Sequence, residues 1–214
     1  MKNNITELVF ILDRSGSMHG LEKDTIGGFN SMLQRQKSLS GRAYVTTVLF
    51  SNSHEIIHDR LDITEVKEMS DRDYCPGGCT ALIDALGSAI KHIVNIHRYV
   101  RKEDVPEKTV FVIITDGLEN ASHIFSASQV KKMIEHEKRK YGWEFLFLGA
   151  NIDAVKTAAS YGIGADRAVE YCSDGQGTAV NYSTVSVAVE NLRTGKCLNA
   201  DWMLPIAQDK KSRG

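Results

Sequence analysis

The sequence predicts an α/β protein: a doubly wound, mostly parallel six-stranded sheet with one antiparallel edge strand and helices on both faces. Three observations carry this. Residues 7–12 (Glu-Leu-Val-Phe-Ile-Leu) and 109–115 (Thr-Val-Phe-Val-Ile-Ile-Thr) are too apolar for surface loops. They are also far shorter than the roughly 18–20 apolar residues of a membrane span, so they read as strands buried on both faces. Such runs alternate with longer stretches of helical periodicity along most of the chain, the pattern of crossovers in a parallel sheet. Finally, the β-rich runs 43–50 and 55–60 are separated by little more than Ser51-Asn52-Ser53, which reads as a hairpin and places one antiparallel strand at the sheet edge.

The elements follow in order. After the first strand, Leu21, Ile26, Phe29 and Leu33 recur at helical spacing and predict a helix over 20–38, with Gly41 as its stop signal. The hairpin strands come next, and 61–72 is a polar connection with one short helical turn. Leu82, Leu86, Ala89, Ile93 and Ile96 form the stripe of a second helix over 80–99, with Thr80 at its N-terminus. The fourth strand is 109–115, a charged helix spans 126–140, the fifth strand 143–148, a short helix 153–161, the sixth strand 168–171 and a final helix 178–192. Such alternation describes a Rossmann-like sandwich. Residues 196–214 break the pattern; Trp202 there is expected to pack back onto the domain.

A chain of 214 residues with 42% hydrophobic content suffices for one α/β core. The expected organisation is one domain over 1–195 and a C-terminal extension over 196–214. A net charge of −1 and a pI near 6.7 provide no basic field for nucleic acid and no polybasic membrane anchor. The N-terminal residues show no apolar leader, no run is long enough to span a bilayer, and the four cysteines fit no disulfide framework. A cytoplasmic protein, monomeric by itself, is expected. Cys75-Pro-Gly-Gly-Cys79 is the one close cysteine pair and is read as two reduced thiols in a tight turn.

Chemistry concentrates at three loops. The first strand runs into Asp13-Arg14-Ser15-Gly16-Ser17, delivering one carboxylate and two hydroxyls to one loop. Pro76-Gly77-Gly78-Cys79-Thr80 is a Gly-rich turn before the second helix, and the strand at 109–115 ends in Asp116-Gly117. Parallel strands place their C-terminal loops on one edge, so Asp13, Ser15, Ser17, Thr80 and Asp116 can converge although half the chain separates them. Singly, each has an ordinary alternative: Ser15 and Ser17 as turn or cap residues, Thr80 as a helix cap, Asp116 as a turn acid before Gly117. Glu119 and Asn120 read as solvated rim residues.

At these five positions the chain resembles the von Willebrand factor A domain family. Its metal-ion-dependent adhesion site (MIDAS) combines an Asp-x-Ser-x-Ser loop, a distant Thr after glycines and a distant Asp before Gly. The resemblance spans roughly residues 5–195. It implies that Ser15, Ser17 and Thr80 ligate a divalent ion directly, while Asp13 and Asp116 mostly hold its coordinated waters. Gly16, Gly77 and Gly78 would shape the loops.

Mg²⁺ prefers an octahedron of few carboxylates, hydroxyls and waters, whereas Ca²⁺ favours carboxylate-rich cages. Two Asp side chains only just neutralise a divalent ion. With neutral hydroxyls as direct ligands the ion stays electrophilic and can accept an Asp or Glu carboxylate from a partner protein. The expected cofactor is therefore Mg²⁺, with Mn²⁺ or Ca²⁺ as alternatives, and the expected function is protein capture without catalysis. Two rivals stand beside it: a Mg²⁺-dependent phosphatase of haloacid-dehalogenase type, and a scaffold whose ion is purely structural. The phosphatases carry a second Asp where this chain has Ser15, and an acidic pair where it has Asp116-Gly117. No P-loop and no Gly-x-Ser-x-Gly elbow occurs, and Gly162-x-Gly164 and Gly175-x-Gly177 read as loop glycines. His54 and His58 lie on a strand, where their spacing is about 13 Å, too far to share an ion.

Overall fold

The computed structural model describes residues 4–213; Met1–Asn3, within the stretch read for a leader, and Gly214 lie outside the described residues. Six strands form one sheet in the order β3-β2-β1-β4-β5-β6. They are β1 (Ile5–Asp13), β2 (Arg42–Phe50), β3 (His54–Asp62), β4 (Lys108–Thr115), β5 (Glu144–Gly149) and β6 (Ala168–Glu170). All neighbours pair in parallel except β2 with β3, the antiparallel edge hairpin. This is the α/β topology expected from the sequence.

Alternation along β1 explains the two-layer core. Leu8, Phe10 and Leu12 face α1 (Glu22–Lys37), α5 (Gly175–Arg193) and α6 (Leu204–Arg213). Val9 and Ile11 face α2 (Leu82–Tyr99), α3 (Ala127–Tyr141) and α4 (Ala154–Ser160). Every residue of β1 is buried. Among the described residues no helix is long and apolar enough to cross a membrane.

Four local expectations change. The connection after β3 forms turns but no helical turn, and Ile63, Val66 and Met69 enter the core from it. Helix α2 begins at Leu82, so Thr80 precedes the helix instead of capping it. Helix α5 begins three residues early because Asp174 accepts the Gly177 N–H at 2.7 Å, an N-cap that outweighs two helix-disfavouring glycines. Gly177 thus lies in a helix, and the reason is steric: a Cβ there would sit 2.1 Å from the Cys172 carbonyl oxygen. Lastly, 204–213 is helical. Leu198, Trp202 and Ile206 are buried in the α1/α5 layer, and Trp202 Nε1 donates to the Asp166 carbonyl at 3.0 Å.

Candidate functional site

The C-terminal ends of β1 and β4 lie side by side, and Asp13 is the hub between them. Its Oδ1 accepts the Ser15 N–H at 2.7 Å, while Oδ2 accepts the Thr115 hydroxyl at 2.8 Å and the Asp116 N–H at 3.1 Å. Behind it, the buried Tyr74 hydroxyl donates to the Asp13 carbonyl. Ser15 Oγ and Ser17 Oγ are 3.1 Å apart, and Ser17 Oγ donates to the Asp116 carbonyl at 2.6 Å. Asp13, Ser15, Thr80 and Asp116 are buried, whereas Ser17 is exposed. The cluster therefore opens to solvent on one side.

Thr80 arrives from the Gly-rich turn. Its N–H donates to Asn120 Oδ1 at 2.9 Å and its carbonyl accepts the Asn120 N–H at 3.1 Å, so Asn120 positions Thr80 from the β4–α3 loop. A Cβ on Gly117 would sit 3.6 Å from Thr80 Oγ1 and 3.7 Å from Ser17 Oγ, which puts both hydroxyls around one point. The turn is stitched to the first loop by Gly16 N–H to the Gly78 carbonyl (3.0 Å) and Gly77 N–H to the Arg14 carbonyl (2.8 Å). Gly78 has φ +80°, and a Cβ would meet the Asn52 amide at 2.8 Å; that same amide oxygen accepts the Cys79 N–H. Only glycine satisfies both demands at this corner.

Asp116 is held by two side chains from the remaining strand ends. Asn151, after β5, donates to Oδ1, and Ser173, after β6, donates to Oδ2 at 2.6 Å. Burial pushes the Asp116 carboxyl above the ordinary carboxylate range and the nearby Asp13 charge adds to this, while the Ser173 and Asn151 hydrogen bonds oppose it. Neither Asp13 nor Asp116 has a cationic partner among the described residues. Arg14, the nearest basic residue in sequence, turns away to Glu55 at 2.9 Å.

All five residues singled out from the sequence meet here, and several essential supports were not singled out. Thr115, Asn151 and Ser173 follow the same strand-end logic as Asp13 and Asp116. Glu119 is a correction. Half-buried, it is not only a rim residue: it accepts the N–H groups of Ile83 (2.8 Å), Ala121 (2.9 Å) and Ser122 (2.8 Å), fastening the start of α2 to the β4–α3 loop. Asp84 completes that fastening by accepting N–H groups from His123, Ile124 and Phe125.

The donor set is three neutral hydroxyls and two carboxylates. Cis oxygens around Mg²⁺ at about 2.1 Å lie about 3.0 Å apart, close to the Ser15–Ser17 separation. Among the described residues no three His, Cys, Asp or Glu side chains gather into a cage, and Cys75 and Cys79 are free exposed thiols. The oxygens at this edge thus suit a hard divalent cation held largely by hydroxyls and water.

No family model and no curated protein matches the sequence. Solved structures do match the fold. The von Willebrand factor type A protein from Catenulispora acidiphila is 14% identical, over 87% of this chain and 42% of that one, with TM-score 0.55. Proximal thread matrix protein 1 from the mussel byssus, solved with a zinc-occupied MIDAS motif, is 14% identical over 85% of this chain and 44% of that one, with TM-score 0.54. Manganese-loaded TRAP protein from Plasmodium vivax is 17% identical over 84% of this chain and 72% of that one, with TM-score 0.56. The chain therefore has the von Willebrand factor A fold, and it spans less than half the length of the first two of these proteins.

Proposed function

We propose that this chain is a divalent-metal-dependent protein-binding module, not an enzyme. In this proposal Asp13, Ser15, Ser17, Thr80 and Asp116 hold Mg²⁺, with Mn²⁺ or Ca²⁺ as substitutes. The function is capture of an Asp or Glu carboxylate from a partner protein. The observation that carries it is the pair of buried carboxylates, Asp13 and Asp116, satisfied by neutral donors alone. Hydrogen bonds from Ser15, Thr115, Asn151 and Ser173 fix where those charges sit without cancelling them. A buried charge without a counter-charge is costly, and a divalent cation supplies the compensation.

When bound, the ion supplies Lewis acidity at the solvent-facing side. The chain's own residues do the rest. Asp13 orders the first loop, Asn120 sets Thr80, and Asn151 and Ser173 orient Asp116 so that water is held in a fixed direction. Both Asp13 oxygens already accept hydrogen bonds, which favours a positioning role over a nucleophilic one. The two fold neighbours named with zinc and manganese support divalent-cation binding in general. The binding unit is residues 1–195, with 196–214 as an accessory, and the four free thiols fit a reducing, cytoplasmic setting.

Calorimetry with Mg²⁺, then with Mg²⁺ plus an acidic partner peptide, tests this. Wild type should bind the metal, Ser15→Ala and Asp13→Ala should lose at least tenfold in affinity, and the peptide should bind only with metal present. A metal isotherm unchanged in Asp13→Ala defeats the site assignment. A metal that stabilises the fold without any metal-dependent carboxylate binding makes the ion structural, and Mg²⁺-dependent phosphatase turnover lost in Asp13→Asn makes the chain an enzyme.

A further inference from the structure

At the opposite end of the molecule, below the sheet, a cleft of about 380 Å³ opens between the C-terminal parts of α2 and α3. This is within the size range of small-molecule sites. Its apolar wall is Val94, Val105, Pro106 and Trp143, and Glu137 is the one acid on a polar wall that also carries Arg98, His97, His136 and Lys140.

Glu137 is anomalous. Its residue is only 6% exposed, and Oε2 has no hydrogen-bond partner. The nearest base to Oε1, His136 Nε2, stays at 4.0 Å. Arg98 is exposed at the mouth, acts on Glu137 only at a distance and forms no ion pair with it. His136, Lys140, His97 and Arg98 act on this carboxylate through their charge, but none of them donates a hydrogen bond to Oε2. Glu137 sits in the C-terminal part of α3, where the helix dipole disfavours negative charge, and a buried oxygen without a donor costs stability. Glu7, fully buried, also has one oxygen without a hydrogen-bond partner, but its Oε2 has Arg60 at 3.0 Å and His97 at 3.4 Å, so its charge is compensated at close range.

We propose that this cleft binds a small amphoteric molecule of the apolar α-amino-acid class. Its ammonium would donate to Glu137, its carboxylate would pair with Arg98, and its side chain would lie against Val94, Val105, Pro106 and Trp143. A donor deep in the site, an acceptor at its mouth and a hydrocarbon body beside them satisfy the unpaired carboxylate, the unpaired guanidinium and the apolar wall together. A simple cation leaves Arg98 unmet and repelled. A simple anion meets the Glu137 charge. The site is independent of the metal cluster at the other end of the sheet.

Titration calorimetry with L-phenylalanine and L-leucine on the full chain tests the proposal, with phenethylamine and 3-phenylpropionate as probes lacking one charged end. At least one amino acid should bind in the millimolar range or tighter and shift the Trp143 indole N–H resonance, and both truncated probes should bind at least tenfold more weakly. Glu137→Gln and Arg98→Gln should each weaken binding at least tenfold with the circular dichroism spectrum unchanged, and Asp13→Ala should bind as wild type. No heat and no Trp143 shift with either amino acid, or equal binding by both Glu137→Gln and Arg98→Gln, overturns it.

Discussion

The two ends of the sheet treat buried charge in opposite ways. At the base, Glu137 apart, the buried charged side chains meet counter-charges or helix ends. Glu7 pairs with Arg60 and His97, Lys108 donates to the Leu192 carbonyl at the end of α5, and Arg193 donates to the Gln36 carbonyl near the end of α1 at 2.6 Å. Cations at helix C-termini are favourable, so these groups hold the fold together. At the top, Asp13 and Asp116 are surrounded by hydroxyls, amides and N–H groups, with no cation among the described residues. Around Glu7 and the ends of α1 and α5 the base is electrostatically closed, whereas Asp13 and Asp116 at the top have neutral donors alone.

The largest test of this contrast is at the closed end. Arg60 is held at φ +47°, an uncommon backbone conformation for a non-glycine residue, beside the irregular β2–β3 register; its guanidinium lies over the Tyr44 ring and reaches Glu7. Removing one partner from a buried pair typically costs about 3 kcal/mol or more. Glu7→Gln should therefore lower unfolding free energy by about 3 kcal/mol in urea titrations, with or without Mg²⁺. A loss below about 1 kcal/mol would show that the base pair is no more structural than a surface contact.

At the open end the sign should reverse. Asn at position 116 can accept from Asn151 through its oxygen and donate to Ser173 Oγ through its amide, so Asp116→Asn keeps both hydrogen bonds while removing one of two adjacent buried charges. In chelator-treated protein it should raise stability by about 1 kcal/mol, within the scale of such effects. In millimolar Mg²⁺ wild type should overtake it, because only wild type gains binding free energy. If Asp116→Asn is less stable than wild type in chelator as well, the two carboxylates are structural and the contrast between the ends fails.

The same contrast explains what was legible in the sequence. The five oxygen-bearing residues stand at or within a few residues of an apolar strand's end or a glycine pair, so these landmarks locate them on one edge. Asn151 and Ser173 obey the same rule after β5 and β6, yet an amide and a hydroxyl after short strands carry no spacing signal. Glu119 could not be read because its role lies in three N–H groups on two segments. Helix α6 was hidden because Leu198, Trp202 and Ile206 are its neighbourhood's main core residues and Pro205 sits in its first turn, where proline is tolerated but looks like a breaker. At the base, Glu7 reads as the polar start of a strand. Its burial depends on Arg60 and His97, which lie 53 and 90 residues away.

The smallest effect separates the two kinds of acid within the base itself. Burial raises the Glu137 carboxyl above its ordinary value of 4.5, although the charges of His136, Lys140, His97 and Arg98 pull it down. A raised folded-state value means that the protonated acid suits the fold. That contribution is fully present below the unfolded value and is lost as pH rises through the folded one. Glu137→Gln cannot lose it. The melting temperature of the variant should therefore gain on wild type as pH goes from 4 to 7, by about 1–2 °C. Paired scans at the two pH values decide it. A gap that stays constant, or that grows toward acid, would place Glu137 with Glu7 among the charges the fold has already compensated.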